Sequence, residues 1–106
     1  MAWIYLFLAG LTEIAWAIGL KYTQGWTRLW PSIITASLIG ISLFLLSQAL
    51  KTLPIGTGYA IWTGIGAVGT VIVGIVFFDE PKTLMRLICI GLVLSGIIGL
   101  KLTSHA

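Results

Sequence analysis

The chain has 106 residues, 58% of them hydrophobic and 8% charged, with a net charge of +3 at pH 7. Six Lys and Arg plus three Asp and Glu cannot solvate the surface of so small a soluble domain. A mean hydropathy of +1.09 points instead to a chain dissolved in a bilayer.

The single Cys89 excludes an internal disulfide. The positive charges sit in short connections rather than in a basic block, so no nucleic-acid partner is expected. No basic stretch precedes the first apolar run and no small-residue cleavage site follows it, so no signal peptide is expected.

Four spans follow in chain order. Residues 2–20 are apolar except for Thr12 and Glu13, and residues 32–50 and 55–78 carry no charge at all. At a rise of about 1.5 Å per residue, each can cross a hydrocarbon core of about 30 Å. The fourth span, residues 84–103, is flanked within its length by Arg86 and Lys101, whose stems can snorkel to the two interfaces. The expected fold is thus an all-α membrane protein with a single four-helix domain over residues 1–106.

The connections are short, and Pro31, Pro54 and Pro81 fall near span starts, where a missing N–H costs little. Trp3, Tyr22, Trp26 and Trp30 lie near span ends, as in an interfacial aromatic belt. Lys21, Arg28, Lys82 and Arg86 belong to one side of the membrane, and Lys51 and Lys101 to the other. So small a bias fixes orientation only weakly, and such a chain can insert both ways up.

Residues 64–69, GIGAVG, match the pattern G-x-G-x-x-G. A dinucleotide-binding loop needs a strand before it, a helix starting at it and an acid about twenty residues later. Here the match lies inside an uncharged span, and Asp79 and Glu80 come too early. The match is accidental. Gly56, Ala60, Gly64, Ala67, Thr70 and Gly74 recur at three- and four-residue spacing, a small-residue face for a neighbouring helix. Clustered glycines also soften a span, and both packing and a hinge account for them.

Glu13 lies near the middle of the first span, and every Lys and Arg lies at a span end. An intramembrane carboxylate without a basic partner marks an ion pathway or ligand site, to be balanced by a proton or an external cation. Trp16 is one turn further on the same face. Ser42 is close to the centre of the second span, and Trp62 and Tyr59 lie in the first half of the third. Aromatic faces attract cations, and a hydroxyl can orient a carboxylate.

Spans one and three run the same way, so Trp16 and the Tyr59–Trp62 pair lie on opposite sides of the midplane in one chain. In a dimer with one subunit inverted they come level. Four helices are few for alternating access, and two inverted copies supply the repeat that carriers normally contain.

Residues 9–25 (AGLTEIAWAIGLKYTQG), 53–70 (LPIGTGYAIWTGIGAVGT) and 96–102 (GIIGLKL) closely resemble the small multidrug resistance family in its guanidinium-exporter branch. The resemblance covers essentially the whole chain. It implies an antiparallel, dual-topology homodimer that exchanges protons for a cation, with Glu13 from both chains forming the shared site. It further implies that Ser42, Trp16, Tyr59 and Trp62 line the pocket and hydrogen-bond the acid, and that helix three bends at Gly64 and Gly66. Gly10, Trp16, Ala60 and Lys101 match the guanidinium branch; Gly58 and Cys89 depart from it.

The expected function is therefore proton-coupled export of guanidinium and small guanidinylated cations. Guanidinium offers a carboxylate two parallel N–H···O bonds, and two facing Glu13 carboxylates would titrate as a pair. A broad exporter of quaternary ammonium or aromatic cations is the nearest alternative, disfavoured because Trp16 narrows the pocket. A non-transporting membrane subunit held together by its glycine faces is the alternative of another class, and it leaves Glu13 unexplained. No metal-ligand cluster, cofactor motif or nucleophile–base pair is present in the sequence, so an enzyme is not expected. Asp79 and Glu80 read as a solvated connection and His105 as a tail residue.

Overall fold

The computed structural model describes residues 1–103, so His105 lies outside the described residues. Four helices account for nearly all of it: α1 (Ala2–Tyr22), α2 (Leu29–Ala49), α3 (Ile55–Phe77) and α4 (Leu84–Thr103). Each is long and apolar enough to cross a membrane.

α2 starts three residues before the expected Ser32, with Arg28 as an extended N-cap at φ −94° and ψ 125°. Pro31 then falls in the first turn, where its missing N–H would have had no intrahelical acceptor, so it does not delay the helix. α1 runs on through Lys21 and Tyr22, whose long side chains can reach the interface from inside the helix. α2 and α3 each end one residue before the sequence reading placed them.

The first connection turns within six residues because Gln24, Gly25 and Trp26 all take left-handed φ, at 49°, 73° and 68°. Thr23 ties it down. Its hydroxyl donates to the Leu20 carbonyl at 2.8 Å and accepts the Trp26 N–H at 3.2 Å. The third connection turns at Asp79, φ 57°, and Glu80 N–H folds back to the Gly74 carbonyl at 3.1 Å. The Glu80 carboxylate lies over Gly74, where a Cβ would push this exposed side chain aside. The Tyr22 and Phe78 rings meet at 6.1 Å, tilted by 51°, with Lys21 over the Phe78 ring at 5.4 Å, joining these two connections.

α1 is the centre of the fold. It packs on α2 and on α3, whereas the α4 backbone lies beside α3 and reaches α1 through the Lys101 side chain over the Trp3 ring. The described chain measures 43 × 35 × 17 Å, a slab in which helices stand side by side in the order α2, α1, α3, α4. The buried cluster, Leu6, Ala9, Leu46, Ala49, Leu53, Ile61 and Trp62, sits where the first three helices meet. No residue of α4 is buried.

Candidate ion-binding site

Glu13 lies one residue past the middle of α1. The chain makes room for it with glycine: a Cβ on Gly66 of α3 would collide with the Glu13 carboxylate. The neighbouring steps of this parallel helix pair use the same device. A Cβ on Gly10 would meet Ile65 Cβ at 2.8 Å, and one on Gly69 would meet Ile14 Cγ1 at 2.5 Å. Three glycines thus bring the backbones of α1 and α3 close enough to sandwich the acid between them.

The acid has no protein partner. Glu13 Oε1 is buried and makes no hydrogen bond, and the only ion pair among the described residues joins Arg86 to Glu80 at 3.3 Å. Trp16 Nε1, one turn away, is a buried donor that is also without an acceptor. A buried acceptor and a buried donor left open on one helix face are costly unless a ligand completes them.

Behind the acid, three side chains converge on one carbonyl. Ala9 O accepts Thr12 Oγ1 at 2.8 Å, Ser42 Oγ at 2.9 Å and Trp62 Nε1 at 3.2 Å, and Trp62 Nε1 also donates to Ser42 Oγ at 3.1 Å. In an α-helix the Ala9 carbonyl is the one that receives the Glu13 N–H, so this knot grips the turn that carries the acid. Ser42 is fully buried and Trp62 nearly so. Their hydrogen bonds go to the backbone of α1 and to each other, rather than to the carboxylate as the resemblance implied. In this structure they position the helix, and the carboxylate stays open.

The remaining candidates separate. Tyr59 packs its ring against Trp62 at 5.5 Å but is 57% exposed, and Ala60 is exposed beside it. Both stand on a face that nothing in one chain covers. Gly64 faces α4, where a Cβ would meet Ile97 Cδ1 at 2.8 Å, so Gly64 and Gly66 serve opposite neighbours. α3 runs as one unbroken helix through both. Gly58 is buried against Leu50, and Cys89 is exposed.

The Ala9 carbonyl was not legible in the sequence, because backbone acceptors carry no residue signature. Thr70 was read only as a small packing residue. Its hydroxyl is buried without a partner, one turn beyond Gly66, which adds a third open polar atom on the α1–α3 side.

A sequence model of the family described as Small Multidrug Resistance protein matches residues 1–93. The chain is 59% identical over 105 residues to a protein named guanidinium exporter from Salmonella typhimurium strain LT2, covering 99% of this chain and 100% of the relative. It is 61% identical over 104 residues to the guanidinium exporter of Yersinia pseudotuberculosis, covering 98% and 100%. To that of Citrobacter freundii it is 57% identical over 105 residues, covering 99% and 100%. A half-buried, unpartnered acid in a four-span slab and a family match over most of the chain agree: the protein belongs to the small multidrug resistance family, as a multi-pass protein of the bacterial inner membrane.

Proposed function

We propose that this chain exports guanidinium and small guanidinylated cations in exchange for protons, as an antiparallel homodimer in which two Glu13 carboxylates share one chamber. The carrying observation is the Glu13 carboxylate near mid-span, half-buried with Oε1 fully covered, seated against Gly66 and with neither a hydrogen bond nor a basic side chain paired to it. A proton or a transported cation is what remains to balance it. Guanidinium suits a carboxylate because it is planar and donates two parallel N–H bonds. The adjacent Trp16 ring supplies a π-face for the same cation. The relatives' shared name, guanidinium exporter, supports the substrate class.

The dimer is supported by the shape of one chain. A slab 17 Å thick leaves Tyr59 and Ala60 uncovered on one side and α4 unburied throughout. A second, inverted copy covers both and brings its Trp16 level with Tyr59 and Trp62 of the first. Gly91, Gly96 and Gly99 of α4 face open space, which suits close helix–helix approach in that seam. Only a chamber loaded with protons or a cation then reorients readily, because bare carboxylates resist occlusion. Gly64 and Gly66 are the points at which α3 would bend during that exchange, and Gly10 and Ala60 set how wide the chamber is.

Reconstitution of the purified chain alone in liposomes tests this reading. Guanidinium flux down its gradient should drive measurable counterflow of protons, and Glu13→Gln should remove both. Guanidinium flux without proton movement, or full activity in Glu13→Gln, would overturn it.

A further inference from the structure

The two ends of the bundle differ in charge. The end formed by the α1 C-terminus and the α3–α4 connection holds Lys21, Arg28, Lys82 and Arg86 together with Asp79 and Glu80. The other end holds Lys51, Lys101 and the Met1 amine and, among the described residues, no carboxylate. At this second end a groove of about 270 Å³ opens between α1 and α4, lined by Trp3, Leu6, Phe7, Ile61, Ile65 and Ile97, with Lys101 at its mouth. The Lys101 ammonium stands over the Trp3 ring at 5.0 Å, and no ion pair to Lys101 is present among the described residues.

We infer that this groove is a site for an anionic phospholipid, with one acyl chain along the α1–α4 cleft and the phosphate on Lys101. The chemistry divides as a lipid does. The lining is apolar for its whole length, and the one cation sits at the membrane boundary, where a Trp marks the headgroup level. The Trp3 ring holds the ammonium over the mouth instead of letting it extend into water. A basic group in a cleft between spans, on a rim without a carboxylate among the described residues, favours an anionic over a zwitterionic headgroup.

The groove is separate from the proposed dimer seam. Ile97 and Lys101 are one turn apart on the side of α4 that meets the cleft, while Gly91, Gly96 and Gly99 of the proposed seam line no part of it. Its floor also bears on the ion site. Ile65 and Ile97 are the side chains that fill the notches at Gly10 and Gly64, so the lipid chain would rest on the packing that holds α1 against α3.

The test uses the full chain in liposomes of phosphatidylcholine and phosphatidylglycerol, with bromine on the acyl chains of one component at a time. Quenching of Trp3, taken as the difference between the native chain and Trp3→Phe, reports which lipid fills the groove. At equal mole fraction, phosphatidylglycerol should occupy it about five-fold over phosphatidylcholine, the preference a single interfacial lysine supplies. Lys101→Gln should bring the ratio to parity, and Lys101→Arg should keep it. Added inorganic phosphate should leave the ratio unchanged.

Equal occupancy in the native chain, or a preference that survives Lys101→Gln, would overturn the assignment. Loss of the preference on adding phosphate would make the ligand a free anion. Absence of quenching by either lipid would mean that a second copy of the chain covers the groove. Either result also overturns it.

Discussion

The α1–α3 contact and α4 are both built largely from apolar residues, yet they are packed in opposite ways. Between α1 and α3, glycines at positions 10, 66 and 69 press two backbones together around an acid, and four hydrogen bonds lock the turn behind it. α4 has glycines too, at positions 91, 96 and 99, but they touch nothing, and none of its residues is buried. The lesson is that small residues in a membrane helix do not by themselves declare their role. What they face decides it: at the first contact they make a seat for a carboxylate, and on α4 they leave an uncovered surface, which the proposed dimer would use.

The contrast can be broken at several points. The largest effect is expected at the seat itself. Gly66→Ala puts a methyl group where the Glu13 carboxylate lies, so transport should fall by on the order of a hundred-fold, the cost of displacing a reacting group by about 1 Å. Liposome flux measures it, with retained helical content showing that the chain still folds. Near-native flux would show that the acid has other room and that Gly66 is not its seat.

On α4, Gly96→Leu fills a position where a Cβ meets nothing within one chain, so the folded monomer should persist while the dimer weakens. Size and mass measurements in detergent separate the two. An unaffected dimer would remove α4 from the proposed seam.

Trp16→Gly should shift selectivity rather than abolish activity. It clears space one turn from the acid, so bulkier cations should be exported and the preference for guanidinium should shrink. An unchanged substrate panel would make Trp16 a packing residue.

Behind the acid, Ser42→Ala removes one of the donors to the Ala9 carbonyl but leaves Trp62 Nε1 in reach of it. The loss of stability should be about 1 kcal/mol or less, the usual scale for one hydrogen bond between membrane helices. The smallest effect is expected at Gly58→Ala. The new Cβ meets only the end of the flexible Leu50 side chain, at 2.5 Å, against a gain in helix propensity of about 1 kcal/mol. Stability in a thermal-unfolding assay should change little.

Much of this was legible in the sequence because membrane physics writes in large letters. Runs without charge longer than a bilayer is thick mark spans, and Glu13 stands out because nothing basic shares its depth. The same test rejected a nucleotide-binding reading of residues 64–69. What was not legible depends on which faces meet. Gly66 was read as a hinge residue, and only the pairing of α1 with α3 in parallel register puts it opposite the acid. Ser42 and Trp62 were expected at the carboxylate, yet they bond the carbonyl of Ala9, since a backbone acceptor one turn away competes for the same donors. Pro31 suggested a later start for α2, because a proline in the first turn and one just outside the helix look alike in sequence.

The central claim is that protons and the transported cation compete for Glu13. The most direct measurement is guanidinium binding to the purified chain across pH, by calorimetry or intrinsic fluorescence, in the native protein and in Glu13→Gln. A protonated carboxylate cannot pair with a cation, so apparent affinity should weaken as pH falls and level off once the carboxylates are ionised. Glu13→Gln should bind weakly and without pH dependence. Affinity that is flat across pH in the native chain, or tight binding that survives Glu13→Gln, would contradict the account.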